Sequence, residues 1–182
     1  KKYFFNAKTY TISNYKKEAR GFQHTPGEIF LDLTKEVPPN LQCKYSVVFN
    51  HTTLEHIYDF KKAFKNLCDL SNDILIIVVP FLQRMHGEYG DYWRFTPQAL
   101  HQMCKDNNMK ILYCSFNDHP KTSVYLFCIA SKNPNRWQSI PNMKNTKHTI
   151  IYSQTTRQDQ AGNKAIQNNI FKKIFFYIRD RY

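Results

Sequence analysis

"DILIIVVPFLQRMHGEYGDYWRFTP", residues 73–97, decides how this chain is read. Residues 74–79 are all apolar and mostly β-branched, the composition of a strand buried on both faces of a sheet. The stretch from Pro80 to Pro97 is of another kind. It carries two acids, two arginines, a histidine, two tyrosines and a tryptophan. A connector needs only Gly, Pro and a few polar residues to turn. This loop is furnished for recognition or chemistry.

Working outward, Thr96 and Pro97 predict a helix start, because a threonine oxygen caps free N–H groups and proline suits the first helical position. That helix, "PQALHQMCKDNN", leads to "KILYCSF" and "SVYLFCIASK", two strands placed to form a hairpin. Upstream, "TLEHIYDFKKAFKNLCDL" spaces Leu54, Ile57, Phe60, Phe64, Leu67 and Leu70 as one helix, ended by "SND". Before it, residues 8–15, 27–33 and 45–50 read as three strands. The order of elements predicts an α/β sheet, mostly parallel, with an antiparallel carboxyl-terminal hairpin.

The 182 residues bound one domain, and a 42% hydrophobic content excludes a disordered chain. The net charge of +12 points to an anionic partner, but it is unevenly spread. From Lys132 onward ten Lys or Arg face two Asp, so the surplus belongs mainly to the tail. Five separated cysteines form no CxxC pair and offer no metal-ligand spacing, so no metal is expected. Cys114 and Cys128 lie in apolar runs and read as buried, reduced thiols. No apolar run approaches the ~20 residues of a membrane span, and no signal peptide is visible, which makes a cytoplasmic setting the expectation.

In an open parallel sheet, ligands lie outside the carboxyl ends of the strands. Here those ends carry Ser13 and Asn14, then Asp32, then Asn50 and His51, then the loop from Arg84 to Arg94. "GEIFLDLTKEVP", "YSVVFNHTTLEHIYDF" and "ILIIVVPFLQRMHGEYGDYWRFTPQAL" together resemble a class I S-adenosylmethionine-dependent methyltransferase. Within that class they are similar to a bacterial branch marked by "LEH" and "H…DYWRFT". The resemblance spans about residues 8–133 and implies a Rossmann-like sheet with S-adenosylmethionine as cofactor.

Residue by residue, the resemblance assigns cofactor contacts to Asn14, Asp32, Leu33, Asn50 and His51. Asn14 stands where the family has an acid for the ribose hydroxyls. Asp32 matches the carboxylate facing the adenine amino group, and Leu33 offers its backbone N–H. Asn50 and His51 face the methionine part. Glu55, Asp91, Tyr92, Trp93 and Arg94 fall on the acceptor side. His86 and His56 are the candidate catalytic residues, His86 first, because a neutral imidazole suits proton removal near neutral pH.

Each assignment has a plainer counterpart. Asp32 would serve as a turn residue, and Glu55 would favour a helix dipole or pair with Arg94 to hold the loop shut. His56 would pack on a helix, and Tyr92 and Trp93 would belong to the core. Two departures stand out: Ser46 replaces an acid, and no strand with a glycine-rich turn precedes residue 8. In the family that strand lies between those corresponding to residues 8–15 and 45–50. A truncated first strand is therefore expected, and the alternative is that its two neighbours close up and pair.

Residues 1–134 are thus read as a partial methyltransferase domain, 135–163 as a polar linker and 164–182 as a basic amphipathic helix. Ile166, Ile170, Ile174 and Ile178 form its stripe. It would pack on its own domain or a second subunit, or lie on an anionic membrane's inner face. The expected activity is methyl transfer to an oxygen or nitrogen of a small-molecule or glycan acceptor, with a non-catalytic remnant as the alternative. Nucleic acid is not the expected partner, since "NHTT" stands where a nucleic-acid methyltransferase motif would follow the strand.

Overall fold

Two sheets, not one, carry the strands of the computed structural model, which describes residues 6–15, 21–86, 90–117 and 124–138. The first pairs β1 (Ile12–Asn14) with β2 (Glu28–Phe30) in parallel. The second has the order β3-β4-β6-β5 and contains β3 (Tyr45–His51), β4 (Ser71–Pro80), β5 (Lys110–Phe116) and β6 (Tyr125–Ser131). β3 and β4 are parallel, whereas β6 runs antiparallel to both β4 and β5. The expected hairpin forms at β5–β6. Among the described residues parallel and antiparallel pairings are equal in number, so the parallel share is smaller than expected.

β1 and β3 do not pair. The alternative in which these two strands close up is therefore not taken. β1 and β2 are also shorter than their sequence runs: β1 keeps only three residues of the expected eight, and β2 three of seven. A two-stranded sheet gives each strand a single partner, so little of the backbone ladder is available to extend it.

Helix α1 (Phe60–Leu70) and helix α2 (Pro97–Asp106) pack on one face of the larger sheet. The register puts Val48 and Asn50 beside Leu75 and Ile77, and these beside Ala130 and Cys128. With Ala63, Phe64 and Leu67 of α1 and Leu100, Met103 and Cys104 of α2, most of them form one buried core. The opposite face is less covered: Val47 and Phe49 are about half exposed, and Ile76, Val78, Phe127 and Ile129 are only half buried.

The expected single helix over residues 53–70 is divided. Leu54–His56 form a 3-10 turn, Ile57 is extended, and α1 begins only after Asp59, whose side chain accepts from the Lys62 N–H. In a continuous α-helix the Glu55 carbonyl would accept from residue 59. Here it accepts from the Tyr92 N–H at 2.9 Å, so the loop takes the bond instead. α1 ends at "SND" as expected, with Ser71 as its cap, and the chain passes directly into β4 there. The Thr96 cap forms as expected, its oxygen accepting from Ala99 N–H at 3.1 Å.

At the amino-terminal end of β4, buried Asp73 accepts from Ser131 Oγ at 2.6 Å and from Trp137 Nε1 at 3.2 Å. Burial alone would raise its pKa, but these bonds and those from Asn133 hold it below the ordinary value. Pro134–Trp137 thereby folds back as a 3-10 turn, so the ordered domain continues through the first residues assigned to a linker. The rest of that linker and the helix expected over 164–182 lie outside the described residues. Among the described residues no helix is long and apolar enough to cross a membrane. Cys114 and Cys128 are buried, as expected, and burial pushes the Cys68 thiol up to about 12.

Candidate active site

The carboxyl ends of β3 and β4 bring Asn50, His51, the Leu54–His56 turn and the loop after Pro80 to one edge. Arg94 organises this loop. Its Nη1 and Nη2 donate to the two Asp91 carboxylate oxygens at 2.5 and 2.7 Å. Nε donates to the Gln83 carbonyl at 2.9 Å, Nη2 to Arg84 O at 3.0 Å and Nη1 to Trp93 O at 2.8 Å. Asp91 is almost fully buried and also accepts from the His86 N–H at 2.8 Å. The Arg94 guanidinium, with the His86 N–H, keeps its carboxyl far below the usual carboxylate range. The pairing of Arg94 with Glu55 is not made, since Asp91 occupies the guanidinium fork. Arg94 and Asp91 brace the loop against itself.

Glu55 instead lies at zero exposure with neither carboxylate oxygen hydrogen-bonded among the described residues. Burial raises its pKa, only partly offset by its own backbone and the charges of His56, His86 and Arg94. Beside it, the His56 and His86 rings meet edge to face, their Nε2 atoms 3.3 Å apart. His56 Nε2 is 3.9 Å from Glu55 Oε1. His56 Nδ1 donates to the Gly90 carbonyl, and His86 Nδ1 faces Arg84 O at 3.2 Å. Gly90 has φ +83°, and a Cβ there would come within 2.8 Å of the Tyr92 ring, so only glycine fits.

The two aromatic assignments separate. Trp93 donates from Nε1 to Tyr58 O at 3.1 Å and packs against Phe60, a core-side role. Tyr92 is about half exposed, its ring against Tyr58, and remains available at the edge.

The residues assigned to the cofactor each have their own local contacts. Asn14 donates from Nδ2 to Glu28 Oε1 across β1–β2, and Asp32 Oδ1 accepts from Thr34 N–H and Oγ1 at 2.8 and 2.7 Å. Asp32 thus has the turn role weighed against cofactor contact. The Leu33 carbonyl accepts from Asn66 Nδ2 at 2.8 Å, as does Lys35 O at 2.6 Å, which ties the β2 exit to α1. His51 is exposed, with Nδ1 2.8 Å from Thr52 Oγ1. Thr52 has φ +46°, a strained conformation for a β-branched residue. Asn50 is buried, and its Oδ1 has no hydrogen-bond partner among the described residues. An orphaned buried acceptor at the strand edge fits an approaching ligand donor.

Sequence reasoning passed over Asn66, Gln83 and Asp73. Asn66 carried a signal: it is the one polar residue on the apolar stripe of α1 that includes Ala63, Leu67 and Leu70. Gln83 acts through its backbone, which no side-chain pattern reveals. A cavity of about 560 Å³ lies elsewhere, at the opposite end of the sheet, between α2, Lys110 and Lys132.

No family model matches the chain, and no curated protein matches it. Solved structures do. A putative S-adenosylmethionine-dependent methyltransferase from Listeria monocytogenes matches 67% of this chain and 79% of its own, at 13% identity and a TM-score of 0.50. An S-adenosylmethionine-dependent methyltransferase from Clostridium acetobutylicum covers 59% and 65%, at 11% identity and 0.47. Magnesium protoporphyrin IX methyltransferase from Synechocystis PCC 6803, with bound S-adenosylmethionine, covers 63% and 48%, at 17% and 0.44. The chain spans about half the length of the first solved structures it matches. The Listeria likeness carries the fold: the chain has the Rossmann-like architecture of S-adenosylmethionine-dependent methyltransferases.

Proposed function

We propose that the chain is part of an S-adenosylmethionine-dependent methyltransferase acting on an oxygen or nitrogen of a small-molecule acceptor. The observation that carries this reading is the edge itself. The carboxyl ends of β3 and β4, where this fold takes its cofactor, carry a buried acceptor with no partner among the described residues (Asn50) and a braced polar loop. Asp32, the Leu33 N–H, Asn14, Asn50 and His51 are the residues that would hold the cofactor. When bound, it supplies an electrophilic methyl group. The chain's part is to fix geometry, since alignment of nucleophile and methyl carbon supplies much of the rate. Arg94 and Asp91 hold the loop, Tyr92 offers an exposed ring to the acceptor, and His86, beside His56, takes the acceptor's proton.

The strand order supports a further part of this reading. Among the described residues β1 and β3 each have an edge to spare where the fold places one more strand. We assign that slot to a strand with a glycine-rich turn from the same natural chain. A glycan or lipid-linked sugar is the acceptor class we favour, in the cytoplasm, with the basic stripe of 164–182 serving a membrane surface or a second subunit. Incubation with methyl-labelled S-adenosylmethionine and panels of glycan, lipid-linked sugar and small phenolic or amine acceptors tests it. Label in a glycan fraction, abolished by His86→Ala, is the expected result. Label in none of the panels, by a chain that binds the cofactor, overturns the acceptor assignment.

A further inference from the structure

The meeting of Glu55, His56 and His86 has a feature that methyl transfer does not require. Their ligand atoms lie within 4.8 Å of one another. A carbonyl only accepts hydrogen bonds, so the Gly90 and Arg84 carbonyls place the proton of each ring on Nδ1. In the neutral rings both Nε2 atoms then carry lone pairs, and these face each other at 3.3 Å. Two facing lone pairs repel unless a proton or a metal cation stands between them. The Glu55 carboxylate, fully buried and without a hydrogen bond among the described residues, lies on the same spot.

The distances suit one ion in particular. Ligands about 2.05 Å from zinc at tetrahedral angles are about 3.3 Å apart, whereas an octahedral site would bring them to about 3.0 Å. The observed separation of the two nitrogens is 3.3 Å, whereas the Glu55 carboxylate, 3.9 Å from His56 Nε2 and within 4.8 Å of His86, would have to close in on the ion. A ring nitrogen held by a carbonyl behind the ligating one is the usual support for a metal-binding histidine. Three protein ligands with the fourth position left to water or substrate is the pattern of an open zinc site.

We propose that Glu55, His56 and His86 bind a single Zn²⁺ ion, with the fourth position open to an acceptor oxygen. The site does not depend on the methyl-transfer reading. Its use there does: the ion would polarise an acceptor oxygen in place of proton removal by His86. The ion would also pin the loop to the Leu54–His56 turn, joining two segments that are 30 residues apart in sequence.

Zn²⁺ and Co²⁺ titrations of the full 182-residue chain, followed by dialysis and metal analysis, decide it. One retained equivalent is expected, with a Co²⁺ visible spectrum of four- or five-coordinate type and no thiolate charge-transfer band. Glu55→Gln, close to isosteric, and His86→Ala, at a partly exposed position, should each weaken binding more than ~10-fold, since even outer-shell changes cost that much. His24→Ala, on an exposed residue elsewhere, should bind as the parent does. Far-ultraviolet dichroism checks that each variant is folded. Binding unchanged in Glu55→Gln and His86→Ala overturns the proposal. So does a thiolate band that disappears in Cys43→Ser, or a nuclear magnetic resonance signal for a proton shared by the two Nε2 atoms that zinc does not displace.

Discussion

Replacing Arg94 by alanine tests whether the loop is held by its own ion pair. Five hydrogen bonds go at once: two to Asp91 and one each to Gln83, Arg84 and Trp93. The three carbonyls can turn to water, but the Asp91 side chain, at 3% exposure, cannot do so without opening the loop. Breaking a buried pair from one side costs about 3–5 kcal/mol, and the 28% exposure of Arg94 puts this case at the low end, about 3 kcal/mol. If the loop opens locally for less, the global loss is capped at that smaller figure. The assay is therefore a double-mutant cycle by urea denaturation on the parent chain, Arg94→Ala, Asp91→Ala and the double variant, with hydrogen exchange read at residues 84–94. A coupling of about 2–3 kcal/mol is expected, or faster exchange confined to the loop. Arg94→Lys should recover less than half, because an ammonium cannot reproduce the two-pronged contact. A coupling below about 0.5 kcal/mol with unchanged loop exchange would refute the bracing role.

Asp73→Asn should lower stability at pH 7 by about 1–2 kcal/mol, the worth of charge-assisted bonds from Ser131 and Trp137. Because the folded pKa of Asp73 is lowered, that stability is present above the unfolded value near ~3.9 and is lost as pH falls through the folded one. Urea midpoints of the two proteins should converge below about pH 4; a gap independent of pH contradicts the assignment. Asn66→Leu keeps the volume but strands the Leu33 and Lys35 carbonyls, for an expected loss of about 2 kcal/mol and looser exchange at residues 31–37. A loss under about 0.5 kcal/mol would mean the β2 exit is held by other contacts. Deleting residues 164–182 should abolish salt-sensitive binding to anionic vesicles while the domain stays folded. Equal vesicle binding with and without that segment would leave packing or dimerisation as its role.

What the sequence disclosed follows from which forces are local. The runs of β4 and β5 are continuous and apolar, and the Thr96–Pro97 cap is a contact between near neighbours, so all three were legible. The break inside "LEHIYDF" was not, because apolar spacing there is helical and the competing bond comes from Tyr92, far along the chain. Asp59 was the available sign, an acid placed to cap a later start. Strand ends led to Asn50, His51 and the loop after Pro80, because the parallel β3–β4 pair places their carboxyl ends side by side. Their partners were not legible: a loop has no period, so nothing in the residue pattern favours Asp91 over Glu55 as the mate of Arg94. The same silence hid the meeting of His56 with His86.

The account stands most directly on cofactor binding at the sheet edge. Calorimetry with S-adenosylmethionine on the longest natural chain that contains residues 1–182 should give one-to-one binding. Asp32→Ala and Asn50→Leu should each weaken it by about 1–3 kcal/mol, the scale of a lost buried polar partner. If the strand proposed for the slot between β1 and β3 is supplied from outside residues 1–182, these residues alone should bind weakly or not at all. Binding unchanged by both substitutions, or tight stoichiometric binding by residues 1–182 alone, would contradict this description of the cofactor site.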